Sequence, residues 1–173
     1  VKNRYEIRGD VTAIFIDSKK YGSHEVLIDT HNLQVVSEIT NSWFLHVSHE
    51  CFYARGLIKN SNPPKRITMH RLIMDVPEGK VIDHININGL DNREINLRIV
   101  TQAENSQNKK AQKNSKTGIR GVSWNKAAKK WQAQYAINRK KVKVGYFDDI
   151  EDARRAVERA RRERMPYSQM DIS

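Results

Sequence analysis

Most of the chain alternates with a period of two, and helical spacing is confined to two places. Residues 11–16 (VTAIFI) and 25–28 (EVLI) read as strands, and the polar segment 17–24, with Tyr21-Gly22, suits a hairpin loop. Residues 43–47 (WFLHV) and 52–55 (FYAR) form a second such pair. Asn60-Ser61-Asn62-Pro63-Pro64 breaks the pattern ahead of residues 66–70 (RITMH). A turn at 75–79 leads into a strand over 80–83, a loop rich in Asn, Asp and Gly fills 86–94, and 97–100 is a further strand. Thr101, followed three residues later by Glu104, reads as a capping box that starts a helix carrying Asn105.

The C-terminal third has the cleanest periodicity. Residues 131–138 (WQAQYAIN) place Trp131, Ala133, Tyr135 and Ile137 on one face, and 141–144 set Lys141 and Lys143 opposite Val142 and Val144. Asp148 with Glu151 suggests another cap, and Ala153, Ala156, Val157 and Ala160 then form an amphipathic stripe. Small residues in that stripe let the helix lie close on a sheet. The pattern predicts an α+β chain: β hairpins, then a strand–loop–strand–helix unit, then a three-stranded antiparallel sheet backed by one helix.

Composition narrows the class. With 173 residues, 38% hydrophobic and 29% charged, the chain suits one domain or two small ones with modest cores. Its apolar runs fall far short of the roughly 18 residues of a membrane span. No leader pattern opens the chain, so an intracellular protein is expected. The single cysteine, Cys51, excludes an internal disulfide and Cys-pair zinc motifs. His46, His49 and Cys51 lack a third partner at sensible spacing and read as strand positions, and His24 and His31 read as loop histidines.

Charge adds a partner. Residues 1–108 hold 13 Lys/Arg against 13 Asp/Glu, whereas residues 109–164 hold 18 against 6. A neutral front and a strongly basic back point to nucleic acid as the partner of the back half. An anionic membrane ranks lower, because the C-terminal helix lacks a bulky apolar face. Lys109, Lys110, Lys113 and Lys116 lie in a polar run free of bulky apolar residues, suited to phosphate contacts.

The candidate chemistry sits in residues 81–107. Asp83 and His84 end a short apolar run, Asn96 follows thirteen residues after Asp83, and Asn105 nine residues further on. A carboxylate and an amide oxygen are hard ligands suited to Mg²⁺, and a neutral histidine can take a proton from water. Such a set is a minimal phosphodiesterase. The plainer reading is an ordinary Asp-His pair beside Asn-rich turns.

The run D-H-I-N-I-N-G-L-D-N-R-E-I-N-L-R-I-V-T-Q-A-E-N resembles the signature of HNH nucleases, especially phage and intron homing endonucleases with a ββα-metal fold. The resemblance covers residues 67–108. It implies that Asp83 and Asn105 hold a single Mg²⁺ (or Mn²⁺) ion, that His84 is the general base, and that Asn96 pins the loop. Arg93 and Arg98 are nearby cations for the scissile phosphate, and Arg98 can also be read as a plain surface charge. His70, in His70-Arg71-Leu72, stands where related nucleases carry a similar triplet. A structural hydrogen bond is its expected role.

The second unit, with Arg120-Gly121-Val122 near its start, Trp131 opening a strand, Val144-Gly145-Tyr146-Phe147 closing another and an Ala-rich helix, resembles the Apetala-two/ethylene-response-factor DNA-binding domain. In that family the sheet lies in the major groove. The matching positions are Arg120, Ser123, Asn125, Gln134, Ala136, Lys141 and Lys143. Strand parity independently supports Gln134, Lys141 and Lys143, but supports Arg120 only if Gly121 bulges the strand. Several reading residues of the family are replaced here, so its target sequence does not transfer.

The resulting expectation is a β-rich platform over 1–66, a nuclease core over 67–108, a basic linker over 109–116, a DNA-binding module over 117–164 and a tail over 165–173. The protein is expected to act on double-stranded DNA, as a monomer, with no small-molecule cofactor. A DNA-binding regulator that keeps a nuclease fold without turnover is the rival reading. An RNA-binding protein fits the charge, but not an expected absence of aromatic platforms on exposed strand faces.

Overall fold

The computed structural model describes residues 1–48, 51–109, 111, 115–137 and 140–168, so His49, Lys110, Lys113 and Asn138 lie outside the described residues. The chain mixes helix and sheet, with several small antiparallel sheets, and divides into two units, Val1–Thr101 and Gln102–Ser173.

In the first unit, β1 (Tyr5–Arg8), β2 (Val11–Ser18) and β3 (Gly22–Asp29) form an antiparallel meander. The hairpin loop is shorter than the polar segment suggested, because Asp17 and Ser18 pair with Ser23 and Gly22. Gly22, at φ 79°, takes a backbone conformation that costs glycine little. β1 carries no alternation, since all four of its residues are exposed. A short helix, α1 (Leu33–Ile39), buries only Val36 and also escaped the pattern. β4 (Thr40–Ser48), β5 (Cys51–Ile58) and β6 (Arg66–Thr68) form the second sheet, and α2 (Met69–Ile73) follows it.

One apolar cluster joins these elements. Ile14, Ile16, Val26 and Ile28 from the first sheet meet Trp43 and Ala54 from the second, with Val36, Met69 and Leu90. Full burial of such side chains is worth about 1.5–3 kcal/mol each. Trp43 satisfies its indole by donating to the Val36 carbonyl at 3.1 Å. Asn3 clasps the two sheets: its amide donates to the carbonyls of Phe15 (3.1 Å) and Trp43 (3.0 Å), and its Oδ1 accepts from the Trp43 N–H at 2.7 Å. Leu90 is the notable member, because it comes from the polar loop 85–96. That loop joins β7 (Val81–His84) to β8 (Leu97–Val100), an antiparallel pair in which Asp83 faces Arg98 and His84 faces Leu97.

The second unit opens with α3 (Gln102–Asn105), a single short turn with no buried residue. β9 (Val122–Asn125), β10 (Lys130–Ile137) and β11 (Lys140–Phe147) form a sheet in the order β11-β10-β9, and α4 (Ile150–Arg164) packs on it. Val122, Ala133, Ala153 and Val157 make the core, with Trp131, Tyr135 and Phe147 against it. Ile137 has the right parity but lies outside this cluster. The pairing steps from Gly145 to Lys143 between Ala133 and Gln134, and the skipped Val144 packs against the core. The cap of α4 is Asp149, not Asp148: its carboxylate accepts from the N–H groups of Glu151 (2.7 Å) and Asp152 (3.1 Å). Asp148 instead pairs with Lys130 at 3.0 Å. Among the described residues no helix is long and apolar enough to cross a membrane.

Gly121 is the tightest point of this unit. Its φ is 81°, its carbonyl accepts from the Gln134 N–H at 2.8 Å, and an added Cβ would stand 2.2 Å from the Gln134 carbonyl oxygen. Gly121→Ala should therefore destabilise the second unit by more than about 3 kcal/mol, from backbone strain and overlap with a backbone atom that cannot move aside. Urea denaturation followed by tryptophan fluorescence would test this, and an unchanged midpoint would refute it.

Candidate active site

Asp83 and His84 are the last two residues of β7, and both are nearly sealed from solvent, at 5% and 7% exposure. Antiparallel register puts Arg98 directly across from Asp83. Its Nε and Nη2 both donate to Asp83 Oδ2, at 2.9 and 2.6 Å. Arg98 is therefore no plain surface charge: its side chain is 18% exposed, and it forms a largely buried ion pair.

The loop from 85 to 96 has no regular structure, so its polar groups must answer one another. Asn96, itself buried, accepts from the Asn86 N–H at 3.0 Å and donates to the Asp91 carbonyl at 2.7 Å. Asp91 accepts two bonds from the Arg93 guanidinium, at 2.8 and 2.7 Å, and one from the Asn86 amide at 3.0 Å. Burial alone would raise the Asp91 carboxyl, but the Arg93 and Asn86 contacts outweigh it and hold the group below the ordinary range. Arg93, read from the sequence as a cation for phosphate, is thus tied to Asp91.

The loop is also fastened to the sheets behind it. Leu27 donates to the Leu90 carbonyl (2.9 Å) and accepts from the Asn92 N–H (2.7 Å), a one-residue parallel bridge to β3. Glu94 N–H donates to Asp29 at 2.7 Å, and the Glu94 carboxylate accepts from Asn32 at 2.8 Å. A Cβ on Gly89 would lie 2.5 Å from the Phe52 carbonyl and 2.6 Å from the Tyr53 ring, so only glycine lets the loop close on β5. Ile87 is held at φ 60°, a left-handed conformation that a β-branched residue adopts only at a cost of about 1–3 kcal/mol. Its N–H donates to the His84 carbonyl at 2.9 Å, so this strained residue adjoins the candidate base.

His84 stands in a cluster of rings. His70 meets it edge-on at 5.0 Å, and Tyr53 lies 5.8 Å from both. Burial pushes the His84 imidazole below the ordinary histidine range, against opposing pulls from the Asn92 amide, Asp83 and Asp91. The Asn92 side chain is wholly buried; it is near enough to favour the protonated ring but falls short of hydrogen-bond geometry. Burial, then His84 and Arg71, push His70 down to about 3. His70 Nε2 lies 3.1 Å from Thr68 Oγ1. Burial, then Cys51 and Asp83, raise the Tyr53 hydroxyl.

Asn105 ends α3 in the second unit. Among the described residues no three His, Cys, Asp or Glu side chains gather as a metal cluster. A hard divalent ion that keeps most of its waters fits one carboxylate and an amide better than zinc does. At Asp83 such an ion would share the carboxylate with the Arg98 guanidinium or displace it.

In the second unit, cross-strand pairing puts Ser123, Gln132 and Tyr146 on one face, with Gln134 and Lys143, Ala136 and Lys141, and Asn125 and Lys130. Val122, Ala133 and Tyr135 belong to the opposite face, toward α4. Asn125 donates to Gln132 at 3.2 Å, and the Lys143 ammonium lies 5.0 Å from the Tyr146 ring. Lys109 and Lys116 are exposed. Arg120 precedes β9, and its Nη1 donates to the carbonyls of Gln107 (2.7 Å) and Lys109 (2.9 Å) and to Ser168 (3.3 Å). The expectation of no exposed aromatic on the strands fails: Trp124 is 48% and Tyr146 41% exposed. Parity could not reveal this, because it does not show that the strand carrying Trp124 lies at the edge of the sheet.

Comparison with known proteins bears on the segment that holds the first of these sites. A family model described as HNH endonuclease matches residues 75–107. This segment is an HNH endonuclease domain. It contains Asp83, His84, Asn96, Arg98 and Asn105. A curated relative, Protein 3.8 of Escherichia phage T7, is 40% identical over 57 residues, which is 33% of this chain and 47% of that protein. The match therefore spans about half the length of that relative. No solved structure matches the chain. HNH nucleases generally use divalent metal ions, which agrees with the hard donor set.

The residues that sequence reasoning missed around the HNH site are Tyr53, Asp91 and Asn92. Asp91 and Asn92 lay within the quoted motif, but nothing in their spacing showed which polar residues turn inward.

The His70 environment makes a prediction. Its proton affinity is lowered from the ordinary 6.5 to about 3, so between these values the unfolded chain binds a proton that the folded chain does not. Stability is then full above pH 6.5 and declines as pH falls toward 3, at most by about 1.4 kcal/mol per pH unit for one proton. His84 adds to the same trend. His70→Phe should flatten the decline in urea midpoints, and wild-type His70 ring signals in NMR should not titrate between about pH 7 and pH 4. A normal titration there would sink the assignment.

Proposed function

We propose that the chain is a site-specific DNA endonuclease of the homing type, which hydrolyses a phosphodiester with its HNH domain and holds duplex DNA with its basic second unit. The observation that carries this reading is the adjacent Asp83-His84 pair inside the HNH domain, with the imidazole kept neutral at pH 7 by burial. His84 accepts a proton from the attacking water. Asn96 keeps the loop after His84 in one conformation, and Arg98 turns from Asp83 toward the scissile phosphate. Asp83 and, on the strength of the motif spacing, Asn105 would hold Mg²⁺ or Mn²⁺. Such an ion supplies Lewis-acid stabilisation of phosphoryl and leaving-group charge.

Ser123, Asn125, Gln134, Ala136, Lys141 and Lys143 form the proposed duplex-facing surface of an Apetala-two-like module, a likeness that rests on sequence motifs alone. Lys109 and Lys116, with Lys110 and Lys113, extend it along the segment before the sheet. Arg120 belongs to this set as the residue that ties that segment to the module. The proposed division remains a platform over 1–66, a core over 67–108, a linker over 109–116 and a module over 117–164.

The second reading, a DNA-binding regulator without turnover, draws on the Arg98 guanidinium that sits on Asp83. In that reading the ion pair is structural. Supercoiled-plasmid assays separate the two. With Mg²⁺ or Mn²⁺ the wild type should nick or linearise DNA, EDTA should abolish the reaction, and His84→Ala should slow it by about 10²–10⁴-fold while binding persists. Because His84 is pushed below 6.5, the rate should hold at pH 6.5 and fall only in more acid solution. Undiminished cutting by His84→Ala would remove that residue from its role. Tight, salt-sensitive binding with no cutting across a plasmid library would favour the regulator.

A further inference from the structure

The second unit contains a cleft of 1440 Å³ between α3 with the segment after it and the sheet. Trp124, Trp131 and Tyr135 contribute aromatic surface to its wall. Four lysines, Lys109, Lys116, Lys126 and Lys141, and two arginines also line it, and no aspartate or glutamate does. Among the described residues none of these lysines is ion-paired, so the cleft is an anion trap with flat apolar faces.

Trp124 is the feature that needs an explanation. It is half exposed, yet its ring is set against Trp131, centroids 5.0 Å apart at 72°. A rigid aromatic held out toward solvent is a stacking surface whose ordering cost is already met. Lysines select a polyanion, and the ring selects a ligand that presents π-faces. A duplex buries the faces of its bases against one another; a single strand offers them. The cleft exceeds the roughly 300–1,000 Å³ of a small-molecule pocket, so it suits several nucleotides rather than one.

We propose that this cleft binds single-stranded nucleic acid, with a base stacked on Trp124 and phosphates held by Lys109, Lys116, Lys126 and Lys141. The site shares Lys109, Lys116 and Lys141 with the proposed duplex surface, adds Trp124 and Lys126 to it, and does not depend on nuclease activity.

The test uses the full chain in EDTA, so that strand cutting does not enter. A labelled oligo-dT, an oligo-U of equal length and a blunt duplex of equal length are titrated by anisotropy and tryptophan quenching. The single strands should bind more tightly than the duplex and quench fluorescence. Trp124→Ala should weaken single-strand binding by about 5- to 150-fold, the worth of one stacked base, and Trp124→Phe should restore most of it. Lys126→Ala should reduce the slope of log K against log salt by about 0.7. Circular dichroism checks the fold of each variant. If Trp124→Ala does not fold, Trp124→Phe and Lys126→Ala still decide: loss of quenching in the former with retained affinity and a shallower slope in the latter support the site. Equal loss of single-strand and duplex binding in Trp124→Ala, duplex preference in the wild type, or an unchanged salt slope in Lys126→Ala would overturn it. Failure of plasmid cleavage would leave this result standing, and the reverse also holds.

Discussion

A loop without regular structure can hold an acid–base geometry only if its own polar groups close on one another. Here the closure is made by Asp91. Its side chain gathers Arg93 and Asn86, and its carbonyl takes the Asn96 amide. Asn96 in turn caps the start of the loop through the Asn86 N–H. The two ends of the loop are thereby locked, and His84 at the end of β7 inherits a fixed backbone. Remove this network and several buried donors and acceptors lose their partners together, which is far more costly than the loss of any one exposed bond.

The same network explains why the site is strained and still stable. Ile87 in a left-handed conformation is unfavourable by itself, yet the bond to the His84 carbonyl and the anchor of Leu90 in the main core leave the chain little alternative. The apolar core built from two sheets is thus coupled to a polar loop through one leucine, one parallel bridge to β3 and the close approach at Gly89. Burial then acts on the imidazoles: His84 and His70 pack edge-on, and their burial disfavours the charged form of each.

The second unit follows a different rule. Its core is small, so precise contacts at Gly121, Asp149 and Arg161 carry the architecture. Arg161, buried in α4, donates to the Arg120 carbonyl at 2.6 Å, and Arg120 in turn grips the carbonyls of Gln107 and Lys109. Two arginines in a strongly basic chain thus serve the backbone, while lysines populate the exposed faces. Guanidinium forks suit several carbonyls at once, and ammonium groups suit mobile phosphate contacts.

Residue pattern by itself determined the strands and their faces, the C-terminal helix and the placement of chemistry near Asp83 and His84. These follow from local periodicity and from residue types at short spacing, which need no knowledge of distant contacts. It did not show β1 or α1, whose residues are mostly exposed or too few to mark a period, and it chose Asp148 over Asp149 because two adjacent carboxylates look alike until the helix phase is known. Tertiary structure alone decided that Arg98 pairs with Asp83, that Arg93 belongs to Asp91, and that His70 and Tyr53 crowd His84. Each of these contacts joins residues brought together by strand register or sheet packing. Trp124 shows the converse: its apolar character predicts burial, and only the tertiary structure, in which β9 is an edge strand with a neighbour on one side alone, leaves it 48% exposed.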